Sequence, residues 1–192
     1  MYKKRNNELE ILALYTKNYR NELYLREISR RTRLPLKTTQ NTLFLLEKDN
    51  ILRSRTSGKN KYFYLQPENP KTKLFLLQAE IFKTISFLEQ YPLLKTFLKS
   101  LSSNVPLLVF GSFANGAANN NSDLDIFLIS EPEKELPFHL IPYKIHKIEL
   151  SKKNFLHVLG KGETLIKEIE ENHILINNHS FFVHAFWKAA YG

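Results

Sequence analysis

One stretch of the sequence decides the fold: Val109-Phe-Gly-Ser-Phe-Ala-Asn-Gly-Ala-Ala-Asn-Asn-Asn-Ser-Asp-Leu-Asp-Ile-Phe-Leu-Ile129. Apolar residues predict one strand over 105–110 and a second strand over 124–129. Between them, Gly111-Ser112 predicts a turn that opens a short helix, and the asparagine-rich run predicts a polar loop. The stretch therefore predicts two neighbouring buried strands joined by a turn, a helix and a loop.

Asp123 and Asp125 are expected to project from the same side of the second strand, because alternate residues of a strand share a face. Two carboxylates about 6–7 Å apart along a strand repel each other unless a cation lies between them. Mg²⁺ is a suitable cation, since it is bound by one or two carboxylates together with substrate phosphates. Gly111 allows a sharp turn beside a ligand, and Ser112 begins a helix whose free N–H groups face an anion. This pattern indicates phosphoryl- or nucleotidyl-transfer chemistry.

The same residues resemble the signature of the DNA polymerase β-type nucleotidyltransferase superfamily in its minimal form. Gly111-Ser112 is followed, after ten residues, by Asp123-Leu124-Asp125-Ile126. The resemblance covers residues 93–191 and implies a mixed sheet with flanking helices and Mg²⁺-dependent transfer of a nucleotide from a triphosphate such as ATP to a hydroxyl. It implies that Asp123 and Asp125 hold the metal and that Gly111 and Ser112 bind the phosphates. The alternative is a surface turn before a strand that carries two unrelated aspartates.

The resemblance also implies a third carboxylate on the following strand, predicted over 143–150, and two residues compete for that position. If the apolar residues of the strand face the core, Glu149 shares the other face with Lys147 and completes the catalytic set. Lys147 is then available to the triphosphate. If the strand is matched through the serine that ends it, the position falls on His146, which is a poor ligand for Mg²⁺. The chemistry favours Glu149, and the choice between the two stays open.

The charge distribution predicts two modules with different partners. The 192 residues carry a net charge of +9. Residues 1–66 hold 15 Lys and Arg against 6 Asp and Glu, and residues 67–192 hold 13 of each. Such asymmetry indicates that the first module meets a polyanion. The chain has no Cys, no signal-peptide pattern and no long apolar run, so we expect a cytoplasmic protein without a membrane partner.

Residues 5–66 resemble a winged helix-turn-helix DNA-binding domain. Helices are predicted over 8–19, 25–32 and 37–49, and a basic hairpin over 51–55 and 61–65. The resemblance implies binding of double-stranded DNA through the third helix and the hairpin. The predicted DNA-binding residues are Lys37, Thr38, Thr39, Gln40, Asn41, Arg53, Arg55, Lys59 and Lys61. The alternative is a protein-interaction module whose charges form a solvated face.

Residues 67–92 are predicted to be a linker and a long connecting helix. Within Lys71–Gln90, an apolar stripe of Leu74, Leu77, Ile81, Ile85 and Leu88 recurs at helical spacing. Two interpretations have equal support: contact between the two modules of one chain, or a homodimer interface.

The sequence as a whole predicts an α+β protein, with a winged helix followed by a nucleotidyltransferase-like domain over 93–192. The first functional hypothesis is an active enzyme that transfers a nucleotide with Mg²⁺. The second is a transcriptional regulator whose impaired nucleotidyltransferase-like domain acts as a sensor or scaffold. A toxin–antitoxin component is a third, by family analogy alone.

Overall fold

The computed structural model describes residues 6–101, 104–130, 136–161 and 163–192. The chain divides into two compact units, Met1–Ala79 with Tyr191 and Glu80–Ala190 with Gly192, and the division falls inside the long helix Pro70–Gln90. Within the described residues each unit contains its own β-sheet, which confirms the predicted α+β class. None of the helices described is both long and apolar enough to cross a membrane.

The first unit combines short helices with a small antiparallel sheet. Its elements are α1 (Asn7–Leu12), β1 (Leu23–Tyr24), α2 (Leu25–Thr32), α3 (Leu36–Lys48), β2 (Leu52–Ser57) and β3 (Asn60–Leu65). The strands pair in the order β1-β3-β2, so β3 lies in the middle. Arg33 ends α2 in the left-handed conformation, with φ 56, and Pro35 precedes α3. The short turn between α2 and α3 and the hairpin of β2 and β3 agree with the predicted elements.

The first helix is shorter than predicted. It was expected over 8–19, but α1 ends at Leu12. Tyr15 is nevertheless fully buried and donates its hydroxyl to the Phe63 carbonyl at 2.9 Å. Residues beyond Leu12 therefore reach the core through turns rather than a helix, because an apolar pattern indicates which side chains are buried but not where the helix stops.

The second unit is a four-stranded mixed sheet with helices around it. Its elements are the end of α4 (Pro70–Gln90), then α5 (Leu94–Ser100), β4 (Leu107–Phe110), α6 (Gly111–Asn115), β5 (Leu124–Ile129), a 3-10 turn (Phe138–Leu140), β6 (Ile145–Leu150), α7 (Lys152–Lys161), α8 (Thr164–Glu171), β7 (His173–Asn177) and α9 (His179–Tyr191). The strand order is β6-β5-β4-β7. The β5–β6 pair is parallel, whereas β4 runs antiparallel to both β5 and β7. The two strands predicted around the Gly-Ser turn are confirmed as β4 and β5.

Helices cover both faces of strand β5. On one face, Ile126 and its neighbours Leu124 and Leu128 belong to a core cluster with side chains of α5 and α6. On the other face, Phe127 is fully buried against Phe155 of α7, with ring centroids 5.5 Å apart. Burial on both faces fixes the strand and hence the direction of its polar residues.

Most of the apolar stripe predicted for α4 does not face the core; the exception is its last member, Leu88, which packs against the core of the second unit. Leu74, Ile81 and Ile85 are exposed, with 60% of the Leu74 side chain accessible. The buried side of the helix is partly polar and consists of Thr72, Leu76, Ala79, Glu80, Thr84 and Phe87. Apolar residues lie all around this helix, so their spacing does not identify the buried sector. The homodimer through this helix stays a prediction.

Glu80 forms a buried charged network in the second unit. Its carboxylate lies 2.8 Å from His173 Nε2 and 2.8 Å from Lys83 Nζ. His173 Nδ1 lies 2.7 Å from the Ile169 carbonyl, which only accepts. Both ring nitrogens of His173 therefore lie within hydrogen-bonding distance of an oxygen atom, one of the Glu80 carboxylate and one of the backbone. Burial by itself raises the pKa of Glu80, but the charges and hydrogen bonds of Lys83 and His173 outweigh it and hold the pKa at about 2.

The free energy of unfolding is expected to reflect the titration of Glu80. The pKa falls from 4.5 to about 2 on folding. The ionised carboxylate therefore contributes its full stability above pH 4.5 and loses it as the pH falls from 4.5 towards 2. This shift corresponds to at most about 3 kcal/mol.

The measurement compares urea unfolding of the wild type and of Glu80→Gln, followed by the fluorescence of Trp187, the single tryptophan of the sequence. The difference in unfolding free energy between the two proteins should shrink from about pH 6 to about pH 2.5. A difference that stays constant over this range would contradict the assignment.

Candidate functional site

Asp123 and Asp125 lie at the start of strand β5 and project to the same side. Asp125 is the second residue of the strand, and Asp123 directly precedes it. Leu124 between them is buried, with 1% of its surface accessible. The two carboxyl side chains are 37% and 24% accessible, for Asp123 and Asp125 respectively. The strand thus presents two carboxylates that solvent or a ligand can reach, on a rigidly buried support.

Gly111 brings the backbone directly against the Asp125 carboxylate. Phe110, the last residue of β4, pairs with Asp125 across the sheet, and α6 begins at the next residue. Gly111 has φ +66, and a Cβ at this position would lie 2.3 Å from Asp125 Oδ2. Ser112 follows in the first turn of α6 and is partly accessible. The Gly-Ser turn and the carboxylate therefore adjoin, and only glycine leaves room for both.

A basic side chain lies beside each carboxylate, one from the residue directly before strand β6 and one from the strand itself. Lys144 Nζ is 2.8 Å from Asp123 Oδ2, and His146 Nδ1 is 2.9 Å from Asp125 Oδ1. The hydrogen bond to Asp123 and its charge raise the pKa of Lys144. Because the Lys144 side chain is 80% accessible, its ion pair with Asp123 is weak and easily exchanged.

The structure contradicts the placement of Glu149 beside the two aspartates. In the parallel β5–β6 pair, His146 lies opposite Asp125 and Glu149 lies opposite Leu128. Glu149 is three residues from His146, so its side chain points to the other face of the strand. There it accepts hydrogen bonds from Ser130 and Lys147, and both bonds lower its pKa. The position for which the resemblance implies a carboxylate is occupied by His146.

Lys147, predicted to bind the triphosphate, is also on the other face of β6. Its Nζ lies 2.9 Å from Glu149 Oε2. The basic residue that does reach the carboxylates is Lys144, which the sequence analysis missed. Placing His146 beside the aspartates would have identified Lys144 as well, since residues two apart on a strand share a face. The described residues contain no group of three or more His, Asp or Glu side chains arranged to hold a metal ion.

A second candidate surface is the outward side of α3 in the first unit. Of the residues predicted to bind DNA on this helix, Lys37, Gln40 and Asn41 are exposed and Thr38 is partly exposed. The prediction that Thr39 contacts DNA disagrees with its position. Its side chain is fully buried, and its hydroxyl donates to the Pro35 carbonyl at 3.1 Å. A buried side chain cannot contact a nucleic acid.

The β2–β3 hairpin places its predicted cations at the surface. Arg53, Arg55, Lys59 and Lys61 are all exposed. Arg55 pairs with Glu22 at 2.6 Å, and Lys61 pairs with Glu47 at 2.9 Å. Such exposed pairs contribute little to stability, so phosphates can replace the carboxylates.

The outward side of α3 also carries apolar side chains. Phe44 and Leu45 are 64% and 46% exposed, whereas their neighbours Thr42, Leu43 and Leu46 are buried. Five consecutive residues span more than one turn of a helix, so they cannot all face one side. Exposed apolar side chains on this helix therefore belong to the candidate surface.

The comparison with protein families matches residues 92–178 to the model of a nucleotidyltransferase domain. The match covers somewhat less than half of the 192 residues and includes Gly111, Ser112, Asp123 and Asp125. It confirms the predicted resemblance for this part of the chain and does not extend to the first unit. No curated protein and no solved structure matched the chain.

Proposed function

We propose that residues 92–178 bind a nucleoside triphosphate with Mg²⁺ and transfer its nucleotide to a hydroxyl of an acceptor, with pyrophosphate as the leaving group. One observation carries the proposal: Gly111 leaves the Asp125 carboxylate against the turn of β4 and α6, beside Asp123, within residues that match the nucleotidyltransferase domain model. The backbone turn can bind phosphate, and the two carboxylates next to it can bind a divalent cation.

The donor set fits Mg²⁺. Asp123 and Asp125 offer carboxylate oxygens from one side of β5, and Mg²⁺ needs only one or two carboxylates when substrate phosphates and water complete its coordination. Lys144 is mostly accessible and can move away from Asp123 when the ion binds. When bound, Mg²⁺ neutralises phosphate charge and polarises the phosphoryl group that is attacked.

The residues around the two carboxylates have separate roles in this proposal. Gly111 and Ser112 offer backbone and hydroxyl donors to phosphate oxygens. His146 is oriented through Nδ1 by Asp125, and no described residue bonds its Nε2. An imidazole held by a carboxylate is a suitable acceptor for the proton of the attacking hydroxyl. His146 thus serves here in place of a third carboxylate.

A regulator with an impaired domain is the second candidate function. The observation that favours it is also His146, because histidine does not add a third oxygen ligand to the two aspartates. In this case the domain binds a triphosphate as a sensor and transfers nothing.

Incubation of the full chain with α-labelled triphosphates, Mg²⁺ and cell extract separates these functions. Covalent label on an acceptor supports the enzyme. Triphosphate binding that requires Mg²⁺, without transfer to any acceptor, supports the sensor. Absence of binding contradicts both.

We further propose that residues 5–66 form a winged helix-turn-helix domain that binds double-stranded DNA. The support is the exposed set Lys37, Gln40 and Asn41 on α3 together with the basic hairpin. Amide side chains bond base edges, and cations bind phosphates. The excess of positive charge in residues 1–66 favours a polyanionic partner.

The salt dependence of DNA binding tests this proposal. The logarithm of the association constant of the full chain for duplex DNA should fall linearly with the logarithm of salt concentration. Lys37→Gln together with Lys59→Gln should lower the slope by about 2, one for each phosphate contact. Lys161→Gln, an exposed cation of the second unit, is the matched control and should leave the slope unchanged. Binding that does not respond to salt contradicts the proposal.

A further inference from the structure

Phe44 lies near the middle of the outward side of α3. It has the highest exposure, 64%, among the large apolar side chains that the structure describes. At 3.6 residues per turn, Lys37, Gln40 and Lys48 lie within about 40° of it around the helix axis. The buried residues Thr39, Thr42 and Leu46 face the opposite way, about 140–160° from Phe44. An aromatic ring therefore stands at the centre of a polar and basic helix face.

The charge of this face favours a polyanion as its partner. Lys37 and Lys48 are exposed beside Phe44, and neither has a partner among the described residues. The single acidic residue of α3, Glu47, is partly buried and turned to the hairpin, where it accepts hydrogen bonds from Ser54 and Lys61. A helix face with this charge and two exposed amides, Gln40 and Asn41, is complementary to the major groove of DNA.

The position of Phe44 then determines what it meets. A residue at the centre of a helix face that enters the major groove lies against the floor of the groove rather than against the phosphates. The floor presents hydrogen-bonding groups and one apolar group, the 5-methyl of thymine. A phenyl ring placed against donors and acceptors would leave them unpaired, whereas the methyl group loses nothing on contact.

We infer that Phe44 contacts the 5-methyl group of a thymine and makes the first unit selective for a thymine at that position. The inference rests on the proposed binding of DNA through α3. It names the base class that this surface distinguishes, which the family match over residues 92–178 does not address.

The test replaces thymine by uracil, which removes the methyl group and keeps the base pair. Duplexes that bind the full chain are first selected from a random pool. Each thymine of a selected duplex is then replaced in turn, and the dissociation constant is measured at fixed salt. At one or two positions, uracil should weaken wild-type binding about fourfold, the effect of one buried methyl group.

Two variants make this test specific. Phe44→Ala removes a side chain that is mostly exposed, so it should leave folding intact and abolish the difference between thymine and uracil. Leu156→Ala, which removes an exposed apolar side chain of the second unit, should keep the difference.

The outcomes separate the inference from the DNA-binding proposal. If the protein binds DNA with a steep salt dependence but the wild type and Phe44→Ala respond equally to uracil, the inference is overturned and DNA binding stands. The same holds if Phe44→Ala leaves DNA affinity unchanged, which would assign the apolar patch to a protein partner. If salt-dependent binding is absent, both proposals fail.

Discussion

Asp125→Asn is expected to reduce nucleotide transfer about a thousandfold. The amide keeps the size of the side chain but removes the negative charge next to Gly111 and beside His146, because one carboxylate oxygen becomes an NH2 group. Loss of a metal-binding carboxylate removes several kcal/mol of charge stabilisation in the transition state. The measurement is the initial rate of label transfer to the acceptor found with the wild type.

Glu149→Gln is the matched control for this substitution. It makes the same chemical change at a carboxylate on the other face of β6, bonded to Ser130 and Lys147. Transfer by Glu149→Gln should stay within a few-fold of the wild type. A large loss in this variant with little loss in Asp125→Asn would assign the catalytic carboxylate to Glu149 and refute the site described here. If the domain is a sensor, the same contrast should hold for Mg²⁺-dependent affinity for the triphosphate.

Gly111→Ala is expected to lower transfer by at least about a hundredfold, because an ångström of misplacement at a catalytic group has this effect. The new Cβ would lie 2.3 Å from Asp125 Oδ2, so the carboxylate must move. The φ of +66 adds a backbone cost of about 1–2 kcal/mol in stability.

Gly116→Ala separates these two effects. Gly116 has φ +78, but a Cβ there meets no atom within 4 Å. This variant should therefore lose a similar amount of stability in urea unfolding and keep its transfer activity. Equal activity losses in the two variants would mean that backbone strain, and not the collision with Asp125, is responsible.

Local patterns were sufficient to predict half of the candidate site. Asp123 and Asp125 alternate on an apolar strand, and Gly111-Ser112 begins a helix directly after another apolar strand. Such features depend on residues that are neighbours in sequence, so the geometry follows from strand and turn conformation. The same holds for α2, α3 and the hairpin of the first unit.

The third position of the site could not be predicted, because it depends on the register of two strands. The apolar residues of β6, Ile145, Ile148 and Leu150, change parity along the strand, so alternation does not say which face is buried. The register of β6 against β5 places His146, and not Glu149, beside Asp125. It also places Lys144 beside Asp123. Pairing between strands is a long-range property that no local pattern contains.

The buried sides of two helices could not be predicted, for a different reason. On α3 and α4 apolar residues extend around the helix, and the pattern does not separate the core side from an exposed apolar side. Phe44 on α3 and Ile85 on α4 are 64% and 52% exposed, although both lie within apolar runs of their helices. On α4, the buried position of Glu80 depends on His173, which is distant in sequence.

The place of β7 in the sheet has a consequence for biosynthesis. This strand forms the edge beside β4, although it comes last in sequence among the strands that the structure describes. While the protein is being made, the backbone N–H and C=O groups on that side of β4 stay open until Asn177 has left the ribosome. A nascent or truncated chain thus exposes an unpaired apolar strand edge that can pair with other chains and aggregate. Ribosome stalling before this point should recruit chaperones, and protection from aggregation should appear abruptly once β7 is released.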